Sequence, residues 1–489
     1  MRAAGTDFPD CLNRAVVSGF HHKFSLTGNG AALNLWPAQE SHLRASEGRM
    51  QFYLAISKFA GKINFLLCAL AIALAAGVAA HAQTYTVIHN FGGSDGVAPF
   101  SGLTIDTAGN LYGTTQYGGS QNLGTVFKLA HKNGSWVLTP LYAFQGGNDS
   151  AWPAARVVFG PDGTLYGTTA GGSGNSCSGD NGCGTVFNLR PQASFCVSAL
   201  CPWVETVLYR FGGVPDGQIP AIGDLAFDRD GNIYGTTRGG GTDNYGTVFK
   251  LTHSNGGWSE SLLYSFTGGS DGAYPTGVIF GQDGNLYGTT TQGGTVFEGY
   301  LGAGLIFKLT PSGSGWTESV VYMFDLDDVN GELPSAGLTL DAQGNLWGTA
   351  YAGGDGGCQS EDDNYIGCGT VFRWPAFGDG LLAIYSWGIH LMLPLSGPQS
   401  PVTFDSAGNI YSTTLALGGH LQGNIFRLSA GQYAYTSLHD LNGTTDGAGP
   451  IGAVVLDRNG NIYGTAAAGG SSSTCEINGG CGVVWEVSP

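Results

Sequence analysis

The stretch GNLYGTT, residues 109–115, closes a run of alternating apolar residues and is followed closely by QYGGSQNLGTVFKL. Alone, it fits a strand with a turn, a phosphate-cradling glycine loop or a hydroxyl-lined binding site. The phrase recurs as GTLYGTT (163–169), GNIYGTT (231–237), GNLYGTT (284–290), GNLWGTA (344–350), GNIYSTT (408–414) and GNIYGTA (460–466), seven copies in all. Its aromatic falls at Tyr112, Tyr166, Tyr234, Tyr287, Trp347, Tyr411 and Tyr463, at spacings of 52 to 68 residues, the period of a propeller or solenoid unit.

Each unit contains four strand-like runs, which we call A to D; in the fourth they are TGVIF (276–280), NLYGTT (285–290), GLIFKLT (304–310) and WTESVVYMF (316–324). They are short, rich in β-branched and aromatic residues and bounded by glycine turns, and no helical period runs through them. Links of the type DTAGN or DAQGN between A and B suit a hairpin in which Asp caps the backbone and Gly takes a positive φ. In this reading the Gly and Asn of GNLYGTT close the A–B hairpin and its Leu and Tyr pack between units. The Gly after Tyr admits the next unit, and the threonines support strand B.

The ends of the repeat region decide how it closes. It starts with a D-type strand, TYTVIHNF (84–91), and finishes with a C-type strand, GVVWEV (482–487), so the N-terminal strand completes the last unit and removes the exposed edges of an open array. The expectation is all-β: a seven-bladed β-propeller of four-stranded blades over residues 84–489. An open β-solenoid is the alternative, disfavoured because its repeats are usually shorter.

Composition agrees. Glycine is 84 of 489 residues and charged residues are 11%, while hydrophobics reach 42%, enough for a core joined by many tight turns. Scarce proline and the lack of a Gly period of three exclude collagen, and the apolar content excludes a disordered chain.

Only the first 82 residues differ. From Met50, Lys58 and Lys62 precede an apolar run, Ile63 to Ala80, that leads to AHA before Gln83, the parts of a secretory signal over 50–82 cleaved after Ala82. A retained membrane anchor is the competing reading, since the run is just long enough to span. Residues 1–49 show no hydrophobic periodicity and read as an overlong start upstream of Met50. Removing residues 1–82 takes away 7 of 19 basic and 4 of 36 acidic residues, which leaves 12 against 32 and a net charge of −20. Such a surface repels nucleic acid and anionic lipid. No membrane association is expected after signal cleavage, and a monomer is expected.

Eight cysteines beyond the signal form four close pairs: Cys177 with Cys183, Cys196 with Cys201, Cys358 with Cys368 and Cys475 with Cys481. Neighbouring pairs after a signal segment read as local disulfides of a secreted or periplasmic protein. Zinc is the alternative, but no pair has CxxC spacing and no His stands at ligand spacing.

YGTT with a following GTVFKL, a YSF strand and a DGxxP turn resembles the GloVer tandem repeat of exported bacterial proteins, over about residues 84–489. The resemblance implies an exported tandem-repeat protein and carries over no settled biochemical activity.

In a propeller the D–A and B–C loops share the face around the channel mouth, where ligand sites usually lie. The D–A loops SDGVAP, NDSAWP, PDGQIP, SDGAYP, VNGELP and TDGAGP place Asp95, Asp149, Asp216, Asp271, Asn330 and Asp446 at equivalent positions. A ring of carboxylates suits calcium or a polyhydroxylated ligand. An Asp that caps its own turn in every blade explains the same pattern and is preferred, because a catalytic residue need not be repeated. DLDDVNGE (325–332), with Asp325, Asp327 and Asp328, is a second calcium candidate, out of register with a DxDxDG loop.

Departures from the repeat are the other candidates. The sixth unit carries His390 in its D–A loop and His420 in its B–C loop, a pair suited to acid–base work or metal ligation if the two meet. The fourth unit inserts Glu298 and Tyr300, and the fifth Glu361, Asp362, Asp363 and Tyr365 inside a disulfide loop, an acidic and aromatic sector suited to sugar or peptide recognition. Ordinary variation in solvated loops is the bland account of these insertions, and loop decay that leaves two histidines on a surface is preferred for His390 and His420. No HExxH or P-loop signature is present, and although GGSDG at 92–96 and 268–272 spells GxSxG, these glycine turns precede strands rather than helices and make no nucleophile elbow. The expectation is a non-catalytic propeller without a cofactor, apart from the calcium alternative, that presents an acidic loop face to a carbohydrate or protein. A glycan hydrolase or lyase, or a calcium-dependent lactonase-like hydrolase, at the same mouth is the second reading.

Overall fold

The computed structural model describes residues 83–489 apart from 154, 173–176, 178–181, 193–202, 221–222, 255, 296–300, 314, 327–328, 356–357, 359–366, 379, 389–396, 473 and 476–478. The described residues form seven antiparallel sheets and no helix, a seven-bladed β-propeller. Blade four is the most regular, with strands Ala273–Phe280, Leu286–Gln292, Leu305–Ser312 and Gly315–Met323 in the order A-B-C-D. The first strand, Thr84–Asn90, pairs antiparallel with Val483–Ser488 and is the D strand of blade seven, whose other three strands come from the C-terminal end.

The A–B turn is built as its sequence requires. Asp106 Oδ1 accepts from the Ala108 and Asn110 amides at 2.9 Å each, while Oδ2 accepts from Asn110 Nδ2 at 2.7 Å and the Tyr112 hydroxyl at 3.1 Å. Gly109 takes φ 82°, the left-handed value that closes the turn. The same set recurs at Asp228, Asp341, Asp405 and Asp457, with Trp347 Nε1 in the tyrosine's role in blade five. Burial opposes ionisation of Asp106, but the Asn110 and Tyr112 hydrogen bonds outweigh it and hold the carboxyl below its ordinary range.

Above the turn, the strand B aromatic of four blades packs edge-on against the strand A phenylalanine of the next blade. Ring centroids lie 5.3 Å apart for Tyr112 and Phe159, 5.2 Å for Tyr166 and Phe227, 5.0 Å for Tyr234 and Phe280, and 5.5 Å for Trp347 and Phe404. In five blades the first threonine of the pair bonds across the same gap, as from Thr114 to the Ala155 carbonyl at 3.1 Å, Thr289 to Ala336 at 3.1 Å and Thr465 to Ser101 at 2.8 Å, whereas the Thr168 and Thr236 hydroxyls are buried without a partner among the described residues. The second ties strand B to strand C, as between Thr115 and Thr125 at 2.8 Å.

A second inter-blade contact runs through phenylalanines. The residue that ends strand D meets the strand C aromatic of the next blade, at 5.2 Å for Phe91 and Phe127, 5.3 Å for Phe144 and Phe187, and 5.1 Å for Phe266 and Phe307. These rings are fully buried, so each hydrophobic cluster spans two blades rather than lying within one.

One expectation is corrected. The Gly after Tyr does not admit the next blade: a Cβ at Gly113 would lie 2.6 Å from Phe127 Cζ and 2.9 Å from Leu103 Cδ2, both of its own blade. Gly113 stands opposite Phe127 in the B–C ladder, and the ring lies across the space. The glycine that admits the next blade is the one before strand C. At Gly124, Gly184, Gly246, Gly304, Gly369, Gly423 and Gly482 a Cβ would come within 2.4–2.8 Å of the Cδ of a proline in the following D–A loop. Gly304, at φ 94°, would in addition meet the Thr290 carbonyl at 2.4 Å. Gly304→Ala is expected to cost roughly 2–4 kcal/mol, from left-handed strain plus a backbone overlap. Gly134→Ala, at φ 83° with open space around it, is expected to cost about 1 kcal/mol. Urea unfolding of the two variants tests the difference, and equal midpoints would refute it.

Candidate functional site

On the D–A loop face the repeated Asp residues are held by the turns that carry them. Asp149 accepts from the Tyr142 hydroxyl at 3.1 Å and the Gln145 amide at 2.7 Å; Asp216 from Tyr209 at 3.1 Å and the Gly212 amide at 2.7 Å. Asp271 accepts from Tyr264 at 3.1 Å, and from the Thr267 amide at 2.9 Å and hydroxyl at 2.6 Å. Histidine replaces tyrosine at the two remaining sites, His89 to Asp95 at 2.9 Å and His439 to Asp446 at 3.0 Å. In blade five Asn330 donates to the Tyr322 hydroxyl at 3.3 Å. Each carboxylate thus fastens the end of strand D to the start of the loop. Among the described residues no group of three or more His, Cys, Asp or Glu is placed to hold a metal ion.

The loop departures are described only in part. His420 is exposed on the B–C loop of blade six, and Asp325 is exposed and accepts from Thr295 Oγ1 at 3.2 Å. His390, Glu298, Tyr300, Glu361, Asp362, Asp363, Tyr365, Asp327 and Asp328 lie outside the described residues, as do Cys196 and Cys201. The other three cysteine pairs, Cys177 with Cys183, Cys358 with Cys368 and Cys475 with Cys481, are disulfides.

The strand A segments line a central cavity of about 520 Å³. At one strand A position five blades carry small or cyclic residues, Gly102, Gly277, Gly337, Pro401 and Ala453, whereas blades two and three carry Arg156 and Asp224. The guanidinium engages the carboxylate through Nε, at 2.8 Å to each oxygen, and through Nη2 at 2.5 Å. Nη1 donates to the Leu103 carbonyl of blade one at 3.1 Å, so one side chain ties three blades together. Burial disfavours the cation, but Asp224 outweighs it and holds the Arg156 pKa above its ordinary value. The pair is three-quarters or nearly two-thirds buried side by side, at 25% and 36% side-chain exposure, and presents fixed donors and acceptors to the cavity. Inspection of single loops misses it; aligning the seven strand A segments would have found it, because the two charges stand where the repeat demands smallness.

A further departure lies on the D strands. Blades two, three and four carry Glu205, Glu260 and Glu318 four residues before the tyrosine that recurs in strand D, each near the Asp of the preceding D–A loop. Burial, then repulsion from Asp216 and Asp271, pushes Glu260 and Glu318 up to about 7. Glu205 reaches about 7 as well, by burial and the charge of Asp149, against a lowering hydrogen bond from Ser150 Oγ at 2.8 Å.

The model of the Gloeobacter/Verrucomicrobia repeat matches residues 76–195 and 174–388. The chain belongs to that repeat family. No curated protein matches its sequence. Among solved structures it is similar to a polysaccharide lyase described as the ulvan lyase of family PL25, with TM-score 0.51 and 14% identity over 82% of this chain and 95% of that one. It is also similar to the PQQ-bound aldose sugar dehydrogenase of Streptomyces coelicolor, with TM-score 0.38 and 11% identity over 83% and 98% of the two chains. At these identities the lyase likeness shows the propeller fold alone, and the weaker likeness carries no argument. For this member of the repeat family, function must be argued from its own residues.

Proposed function

We propose that this repeat-family member is an exported, non-catalytic β-propeller that binds a carbohydrate or protein partner on its loop face, with a carbohydrate favoured. The observation that carries this reading is the Arg156–Asp224 pair inside a cavity of about 520 Å³, within the range of small-ligand sites. A hydroxyl-rich ligand needs donors and acceptors side by side, and a guanidinium locked against a carboxylate offers both in a fixed geometry. The same pairing argues against acid–base chemistry at this spot, since each charge already satisfies the other. The three disulfides support export to an oxidising compartment, periplasmic or extracellular.

The test is a glycan array followed by calorimetry on the best ligand, with wild type and R156A/D224A. The double variant installs residues as small as those of the other blades, so it removes the pair without leaving one charge stranded. A loss of affinity of about tenfold or more is expected, since each charge-assisted hydrogen bond contributes roughly 1.5–3 kcal/mol, together with a lower but still cooperative melt, because the Leu103 carbonyl loses its donor as well. Unchanged affinity in the double variant would remove the channel as the site, and cleavage of the bound glycan would establish the lyase or hydrolase reading instead.

A further inference from the structure

The opposite face of the ring holds a second departure from the repeat, at the seam where blade seven meets blade one. Across the B–C ladder, the residue opposite the strand B aromatic is Lys128, Asn188, Lys250, Lys308, Arg373 or Arg427 in blades one to six. In blade seven it is Glu486, opposite Tyr463. The sibling blades show what this position ordinarily holds. Lys128, Lys250 and Lys308 place their ammonium groups 5.3, 5.3 and 5.4 Å from the ring centroids of Tyr112, Tyr234 and Tyr287, and Arg373 lies 5.6 Å from Trp347. The same ammonium reaches the A–B turn carboxylate, at 3.0 Å between Lys308 and Asp283 and 3.9 Å between Lys250 and Asp228. The fold therefore builds a cation position bounded by an aromatic ring and an Asp, and fills it from within.

Blade seven keeps the ring and the Asp and replaces the cation with a second carboxylate. The Tyr463 hydroxyl lies 3.3 Å from Asp457 Oδ2 and 3.2 Å from Glu486 Oε1. A phenol has one proton, so it cannot donate fully to both carboxylates, and the two anions face each other across it. Trp136 of blade one adds an indole N–H 3.4 Å from Glu486 Oε2 and an edge-on contact to Tyr463 at 5.5 Å. A cavity of about 660 Å³ opens here, lined by Glu486, Asp457, Trp136, His131 and the exposed Arg458. Among the described residues neither Asp457 nor Glu486 forms an ion pair with Arg458 or any other cation.

We propose that this seam pocket binds an organic cation, a primary ammonium or guanidinium group, in the place that lysine or arginine fills in the sibling blades. The guest's charge lies between Glu486 and Asp457, and its aliphatic or ring body lies against Trp136. Two sources share this chemistry, a basic side chain of a peptide and an amino sugar. The site is separate from the channel, on the A–B face, so its fate does not depend on the reading of Arg156 and Asp224.

The test is an NMR titration of the purified protein at low ionic strength, following the Trp136 indole N–H, assigned by its loss in W136F. The probes are Nα-acetyl-lysine amide, glucosamine and, as an uncharged control, Nα,Nε-diacetyl-lysine amide. Saturable shifts in the millimolar range or below with a charged probe, none with the control and weakening with added salt are expected. Preference for the lysine amide would identify a peptide side chain as the source, and preference for glucosamine an amino sugar. E486K restores the residue type of blades one, three and four, so it should fold as they do and lose binding by about tenfold or more; E486Q, which removes only the charge, should weaken it less. Absence of a saturable response to either charged probe, or affinity unchanged in E486K, would overturn the proposal.

Discussion

A chain lacking residues 83–91 is expected not to form a stable monomer, because those few residues carry the closure of the whole ring. Thr84–Asn90 supplies the ladder partner of Val483–Ser488, and Phe91 behind it is fully buried against Phe127 at 5.2 Å. That cluster joins Leu103 and Leu111 of blade one to Val455, Tyr463 and Val484 of blade seven, so the deletion opens the seam from both sides. Loss of the buried Phe91 alone costs roughly 3–5 kcal/mol, and the stripped edge of Val483–Ser488 becomes a template for pairing with other chains. The expected result is aggregation, or a broad melt far below that of the intact protein. A synthetic peptide TYTVIHNF, added in trans, should restore a monomeric species by strand addition. Size-exclusion chromatography with calorimetry reads both outcomes. A truncated chain that stays monodisperse and melts within a few degrees of the intact one would show that the closing strand is dispensable.

The closure and the blade count were legible in the sequence because each blade repeats a local chemical solution. Asp106, Gly109, Asn110 and Tyr112 satisfy one another within seven residues, so their recurrence marks a recurring hairpin whatever surrounds it. Contacts between blades were less legible. Gly113 and Gly124 look alike in sequence, and only the ladder shows that the first faces Phe127 of its own blade while the second faces Pro153 of the next. Among the unrepeated loop residues, His420 is exposed. Arg156 and Asp224 lead into the short A strands Val158–Phe159 and Ala226–Phe227, and Glu486 lies within Val483–Ser488, so all three sit in repeat-encoded scaffold and not in the irregular loops. Comparison of the blades at equal register separates them: a charge where other blades have glycine, or an anion where they have lysine, is visible without coordinates once the strands are aligned.

The gaps between blades one to four carry the remaining prediction, an acid-shifted stability optimum. Each holds one carboxylate that favours ionisation less than an isolated one would. Glu205, Glu260 and Glu318 are pushed up to about 7 in the folded chain from an ordinary 4.5, by burial first and then by Asp149, Asp216 and Asp271 respectively, with Ser150 opposing at Glu205. A raised carboxyl pKa means that the folded chain binds more protons than the unfolded chain between about pH 4.5 and 7. Stability contributed by these groups is therefore full below that window and falls as pH rises through it. All three side chains are partly exposed, so solvent screening reduces the effect to about 1 kcal/mol each, well below the full linkage value. Turn carboxylates act in the other direction. Asp283, held at about 2 by Asn285, Tyr287 and Lys308 against burial, and Asp106 and Asp405, held low in the same manner, contribute stability above pH 4 that is lost on acidification. The two sets place the maximum near pH 4.5–5, where the turn aspartates are still ionised and the gap glutamates already protonated. Calorimetry at pH 3, 5 and 8 is expected to show the highest melting temperature at pH 5. In E205Q/E260Q/E318Q the fall towards pH 8 should shrink by about 3–4 °C, with little change at pH 5, because an amide is neutral at every pH. General repulsion in an acidic chain would also weaken it as pH rises, but it would survive the three substitutions almost intact. A triple variant that falls as steeply as wild type between pH 5 and 8 would assign the pH response to overall charge and leave the gap carboxyls without a part in it.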